Sequence, residues 1–415
     1  MSTAPDARAQ KHAFAALTAL CTLAYFVSYL SRINLSAAMV EIVASGFAEK
    51  TTVALALSVN SVTYGAGQII SGYLGDRYRP QNVMLCGFLL AGTMNLGVAL
   101  LPDQRLLILL WAINGFAQSL MWPPMVRILA QRLNSDQYSV ACKWVSWGSA
   151  FGTMAVYGLT PLIIGISGYR MVFFLTGGVA LCMAAVWKLG YEHGLSGLPT
   201  CVARSAPAQE SVQPAPATGL SVTVLTLMVP VMLSIVMQGA LRDGVTNWLP
   251  TLVSESFGLA SSAAILSGVL LPIFHILCLQ IVSQLYRRVL RNELFCCGVI
   301  FVAATGVAIL LTLLHGSGVL STVVLCALLV GCMHGVNFLF TGMVPPYFAR
   351  YGHVSLVSGV LNSSTYVGSA LSTYGIAVFS QACGWTATIW LWAAIAGTGM
   401  VICLSLSRKW AAFTE

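Results

Sequence analysis

Residues 13–43, AFAALTALCTLAYFVSYLSRINLSAAMVEIV, form one apolar run with an arginine, Arg32, set inside it. Roughly 20 apolar residues cross a hydrocarbon core, so this run is long enough to span a membrane. It is also too long for the apolar part of a secretory leader, and no cleaved signal is expected. A guanidinium at the centre of a span costs about 2.5–3.5 kcal/mol on insertion scales, so Arg32 should face a pathway or a partner.

Outward from Arg32 the same pattern repeats. The 415 residues are 58% hydrophobic and 8% charged, against about a quarter charged in a water-soluble domain. Twelve spans are predicted: 13–43, 51–74, 82–101, 105–130, 138–165, 170–190, 221–252, 260–285, 293–314, 318–346, 354–382 and 386–407. With the N-terminus inside, fourteen lysines and arginines fall in inner segments and three (Lys50, Arg105, Arg170) in outer ones. That asymmetry places both termini in the cytoplasm. The net charge of +8 is thereby a product of topology, and no nucleic-acid partner is implied. Ten of the twelve cysteines lie in apolar spans, an eleventh, Cys383, at the end of one, and none has metal-ligand spacing. They read as small packing residues, and neither metal nor cofactor is expected.

One composition break, residues 191–219, is rich in Ser, Pro and Ala and reads as a cytoplasmic linker. It separates a six-span half, 1–190, from a second, 220–415. The halves repeat: Trp122-Pro123-Pro124 recurs as Val344-Pro345-Pro346, and Gly148-Ser149-Ala150 as Gly368-Ser369-Ala370, at offsets of 222 and 220. Arg32 and Arg242 stand 210 apart. After span two, Gly72-Tyr73-Leu74-Gly75-Asp76-Arg77 resembles the signature loop of the major facilitator superfamily. The expected fold is therefore an all-α membrane protein of that superfamily, with twelve transmembrane helices in two pseudo-symmetric halves and a cargo site at the repeat interface. Gly72, Asp76 and Arg77 are expected to latch one conformation, Asp76 by meeting the positive end of a helix. The matching loop, Gln284 to Arg291, lacks the Asp, and a weaker latch is expected there.

Polar residues form stripes on eight spans: Tyr25, Tyr29, Arg32; Asn60, Tyr64, Gln68; Asn114, Gln118, Trp122; Lys143, Trp144; Gln238, Arg242; His275; His334, Asn337, Thr341; Asn362, Tyr366. They read as cavity lining, with interhelical hydrogen bonding as the alternative for each. Lys143 faces either the cavity or the cytoplasmic mouth of its span. Asp243 could pair with Arg242, although adjacent helical positions point about 100° apart. Two guanidinium forks suit a tetrahedral dianion such as phosphate or phosphonate. An empty site with two uncompensated cations would resist closure, so exchange is expected.

Over nearly the whole chain outside the linker, the sequence resembles the organophosphate:phosphate antiporter family. The resemblance rests on Tyr25-x3-Tyr29-x2-Arg32, Gln118-x3-Trp122-Pro123-Pro124-x2-Arg127, Trp144 and Arg242-x5-Trp248-x-Pro250. It implies that Arg32 and Arg242 bind the phosphoryl group, and that Tyr25, Tyr29, Tyr64, Trp122, Trp144 and Tyr366 line the site. Departures are Gly148 where glycerol phosphate carriers have histidine, Gln68 for lysine, His334 and Gly239 for tyrosines, and an uncharged span eleven. Lys143 and His334 are expected to supply positive charge from new places.

The expected function is transport of a small phosphorylated or phosphonate-like organic anion in exchange for inorganic phosphate, by alternating access. The expected setting is a bacterial inner membrane, and the expected state a monomer. An ion-coupled carrier of an organic carboxylate, with Asp243 as the titrating group, is the first alternative. A membrane sensor of a sugar phosphate is the second; the linker and termini are expected to add no partner domain for it. No P-loop, Ser/His/Asp spacing or metal cluster suggests an enzyme.

Overall fold

The computed structural model describes residues 7–100, 103–191, 222–258 and 270–414, and these contain helices and turns without a strand. Most of the predicted linker, and residues 260–269 of span eight, lie outside the described residues. Two compact units result: residues 1–205 with 348–360, and residues 206–347 with 361–415.

The first unit contains α1 (Ala7–Ala44), α2 (Lys50–Arg77), α3 (Pro80–Leu100), α4 (Arg105–Ser119), α5 (Trp122–Arg132), α6 (Ser135–Ser167) and α7 (Tyr169–Leu189). The second contains α8 (Val222–Phe257), α9 (Leu270–Arg288), α10 (Glu293–Leu313) and α11 (Val319–Asn337), with most of α12 (Val354–Thr414). Among the described residues, ten stretches are long and apolar enough to cross a membrane. The two predicted spans missing from that set, 51–74 and 354–382, are helical as well. Their polar stripes, Asn60 with Gln68 and Asn362 with Thr365, lower their mean hydropathy.

Predicted spans four and ten are broken at their matching proline pairs. Span four divides into α4 and α5, with Pro123 and Pro124 in the first turn of α5. In span ten, α11 passes into a π-helical turn, Phe338–Met343, and then a 3-10 turn, Pro345–Tyr351. Proline supplies no N–H and clashes with the preceding turn, so each pair weakens the α-helix where the break falls.

The turns between the last two spans of each half also match. Gly168 closes α6 with φ 77° and ψ 170°, and Gly384 interrupts α12 with φ 80° and ψ 173°. A β-carbon is strained in that backbone region.

In the first unit α1 packs against α6 and α7, α2 against α4, and α3 against α7. In the second, α11 packs against α8, α9 and α10. The glycines of the repeat mark the closest crossings. A β-carbon at Gly148 would lie 2.7 Å from Thr22 O of α1, and one at Gly368 would meet Val236 O of α8. The position where glycerol phosphate carriers place histidine is thus a helix-crossing point here. Gly148→His, which restores that residue, is expected to destabilise by about 1–3 kcal/mol or more by overpacking. Size-exclusion chromatography of detergent extracts should show much less monodisperse protein.

Asn114 and Gln118, which read as cavity lining, do different work together with Asn95, the polar exception in span three. Asn95 of α3 donates to Ser31 O (3.1 Å) and Ala91 O (2.9 Å), and its Oδ1 accepts from Asn34 (2.7 Å). Asn114 also donates to Ser31 O (3.1 Å), and Gln118 to Ser31 Oγ (2.9 Å). All are buried. The network fixes α1 at the residue before Arg32 and explains why Asn95 breaks the apolar character of span three. Asn95→Leu would remove one of two partners from the Asn34 amide and one of two from the Ser31 carbonyl, at a cost of about 2 kcal/mol. A melting temperature lowered by several degrees in detergent is the expected result.

In the second unit a buried carboxylate does comparable work. Glu293 accepts from Tyr286 OH (2.5 Å), Tyr347 OH (2.8 Å) and Trp410 Nε1 (2.9 Å). It follows the basic loop that lacks an Asp, so acidic anchoring is present there two residues beyond Arg291. The anchor joins α9, α10, Tyr347 and α12 of the same unit.

Candidate anion-binding site

Within the first unit, Arg32 stands in the middle of α1 and is partly buried. Its guanidinium carbon lies 3.8 Å from the centre of the Tyr64 ring and 5.3 Å from that of Tyr29. Tyr25 extends the frame, 5.3 Å from Tyr29 and 5.3 Å from Trp122 between ring centres. A cation over an aromatic face gains about 0.5–2 kcal/mol, more where water is excluded. This offsets part of the cost of charge at depth and leaves the N–H edge of the fork oriented. Three sources supply the frame: the i, i+4 spacing of Tyr25 and Tyr29 on α1, Tyr64 on α2, and Trp122 at the proline break.

Other expected site residues are placed differently. Gln68 is fully buried, with Nε2 3.4 Å from Ser119 O, at a helix-packing position. Lys143 Nζ lies 5.3 Å from the Trp147 ring centre, and Trp144 makes an edge contact with Trp147 at 4.9 Å. Trp144 is 43% exposed. It lines an open apolar groove of about 670 Å³ with Phe14, Thr22, Phe26 and Phe151, not the frame around Arg32.

The signature loop is organised as a cap. Asp76 accepts from Ser355 N (2.9 Å) and Leu356 N (2.7 Å) in the first turn of α12. These residues belong to the first unit. Arg127 contributes Nη1 to Gly75 O and lies 3.9 Å from the Asp76 carboxylate. A carboxylate on free helix N–H groups satisfies donors that have no partner within the helix and meets the positive end of its dipole. Gly72 allows the approach, since a β-carbon there would sit 2.7 Å from Ser355 O. Arg77 is exposed and donates to Tyr73 OH at 2.6 Å.

In the second unit Arg242 is not left to a ligand alone. Its Nε and Nη2 donate to Asp243 Oδ1 and Oδ2 at 2.6 and 2.9 Å. Helical geometry had suggested that these neighbours point apart. The flexible arginine stem folds back along the helix surface, which a count of degrees per residue does not capture. Tyr366 lies 5.9 Å from the guanidinium carbon. One turn earlier, Gln238 is buried, donates to Met333 O (3.1 Å) and accepts from Thr365 Oγ1 (3.3 Å). Beside it, the rings of His275 and His334 stack face to face, 3.7 Å between centres and 14° between planes. In the sequence His275 reads only as one polar residue in an apolar span, and spacing holds no sign of the stack. Among the described residues no group of three or more His, Cys, Asp or Glu side chains could hold a metal ion.

An all-helical, multi-pass chain with an arginine within a span of each unit has the build of a membrane transporter, not of an enzyme. The family model described as Major Facilitator Superfamily matches residues 21–373. The chain belongs to that superfamily. Its fold is similar to that of the proton:xylose symporter XylE, with a TM-score of 0.72 at 11% identity, covering 96% of each chain. The outward-conformation structure of FucP gives 0.70 at 12%, covering 94% of this chain and 99% of that one. Among curated proteins, the chain is 26% identical over 166 residues to a probable hexose phosphate transport protein of Chlamydia trachomatis. That alignment covers 40% of this chain and 36% of the relative. A membrane sensor protein, UhpC of Salmonella typhimurium, is 26% identical over 250 residues, 57% of this chain and 56% of the relative. The glycerol-3-phosphate transporter of Bacillus subtilis is 26% identical over 170 residues, 39% of this chain and 37% of the relative. The chain thus spans between about a third and somewhat over half of the length of these curated relatives. The names belong to the group that the Arg32 and Arg242 motifs resemble.

Proposed function

We propose that this protein carries a small phosphorylated or phosphonate-like organic anion and exchanges it for inorganic phosphate by alternating access. Arg32 and Arg242 both bind the anion in this reading, and Asp76 with Arg127 stabilises one conformation. The observation that carries it is Arg32, placed within a span and framed by Tyr29 and Tyr64, a guanidinium whose planar fork suits a tetrahedral oxyanion. The names of the relatives support the phosphoryl group. The protein works as a monomer in a bacterial inner membrane with both termini cytoplasmic. Calorimetric titration of the purified protein with inorganic phosphate, phosphate esters, phosphonates and carboxylates tests the cargo class. Binding confined to the phosphoryl and phosphonyl compounds is expected, and binding confined to carboxylates would reject the proposal.

A second reading draws on the Arg242–Asp243 pair. An incoming anion that takes Arg242 releases Asp243, which can then accept a proton, and ion-coupled transport follows. Uptake that requires a pH gradient would favour it. A sensor, like the relative so named, would bind without counterflow.

A further inference from the structure

We propose that the stacked pair His275–His334 selects the organic part of the cargo, by hydrogen bonding to hydroxyl groups next to the phosphoryl group. The inference rests on the reading that Arg242 binds that group.

The repeat supplies the first argument. Arg242 follows Arg32 by 210 residues, and His275 follows Tyr64 by 211. In the first unit Tyr64 is the ring that faces the arginine. Its counterpart in the second unit is thus an imidazole with two polar edge atoms in place of a phenol. Gln238, one turn from Arg242 on α8, is hydrogen-bonded to Met333 O, the residue before His334.

The second argument is the state of the rings. Both are partly exposed, and among the described residues neither commits a ring nitrogen to a hydrogen bond. Stacking at 3.7 Å orients each ring by the other. Two imidazolium cations repel at that separation, so at least one ring is neutral and offers one N–H donor and one bare acceptor. A hydroxyl is both donor and acceptor and matches that edge. A carboxylate or second phosphoryl group only accepts, and calls for permanent cations instead. The class of cargo selected is therefore a monophosphate ester with a hydroxyl-bearing organic part.

The test uses full-length protein in phosphate-loaded vesicles, with glycerol phosphate and propyl phosphate competing for exchange. These differ in hydroxyl groups on a similar carbon frame. The wild type should prefer glycerol phosphate. His334→Phe keeps a stacking ring and removes the polar edge, and should lower that preference about tenfold, with His334→Gln recovering part of it. Should His334→Phe fail to elute as folded protein, His275→Phe carries the same measurement. An unchanged preference in the phenylalanine variant would overturn the inference. So would a wild type that exchanges phosphate for both esters equally, or a Phe variant that loses both exchanges in proportion. A wild type without any phosphate exchange would reject the functional reading itself, and the inference with it.

Discussion

Arg32→Ala is expected to lower phosphate-ester exchange at least about a hundredfold while the protein still reaches the membrane and elutes as one species. The loss corresponds to about 2.7 kcal/mol, within the range for deleting one partner of a desolvated, charge-assisted pair. Folding should survive because the substitution removes a charge whose insertion was unfavourable. What the fold forfeits is a cation–π contact with Tyr64 and Tyr29, worth about 1 kcal/mol. Arg32→Lys separates charge from geometry. It retains the cation and loses the planar fork, so an intermediate loss is expected if the cargo oxygens are gripped in pairs. Exchange rates in vesicles, read beside size-exclusion profiles, check both variants.

The second large effect concerns the carboxylate beside Arg242. Asp243 takes the Nε and Nη2 edge of the guanidinium, so an arriving dianion competes with it for that edge. Asp243→Asn is similar in shape and cannot neutralise the guanidinium. It should therefore tighten phosphate binding about tenfold. The same change leaves Arg242 uncompensated when the site is empty, which lowers the stability of the ligand-free protein and raises the stabilisation gained from phosphate. The shift in melting temperature on adding phosphate should thus be larger in Asp243→Asn than in the wild type. Arg242→Ala should behave in the opposite way. It strands a partly buried carboxylate, lowers stability by about 3 kcal/mol and abolishes the phosphate-dependent shift. If Asp243→Asn left phosphate affinity unchanged, the carboxylate would not be competing for Arg242.

This pair also alters the electrostatic case for exchange. Two bare arginines would have made the empty carrier costly to close. With Asp243 in place the charge at Arg242 is already balanced. The empty carrier is then less strongly held back than two bare arginines would imply.

The spans could be read from hydropathy and internal repetition, whereas the breaks in spans four and ten were not expected although their proline pairs stood in view. Hydropathy and repetition are local or periodic, so the chain carries them in order. The work of the polar stripes was much less legible. Asn114 and Gln118 share a helical face with Trp122, yet they serve Ser31 and the seating of α1. Periodicity reports that residues share a face and is silent about what that face meets. The same limit hid the anchor at Glu293, whose partners come from Tyr286, Tyr347 and Trp410. It also hid the stack of His275 on His334, since the two lie on different helices. At Arg242 the sequence left the pairing with Asp243 open, and a flexible stem overcame the angular separation of neighbouring positions.

The most direct measurement is labelled-phosphate efflux from vesicles containing the protein, without any pH or sodium gradient, before and after unlabelled phosphate is added outside. The account predicts slow efflux into anion-free medium and a marked acceleration on addition. Efflux indifferent to external phosphate, or driven only by an imposed pH gradient, would contradict it.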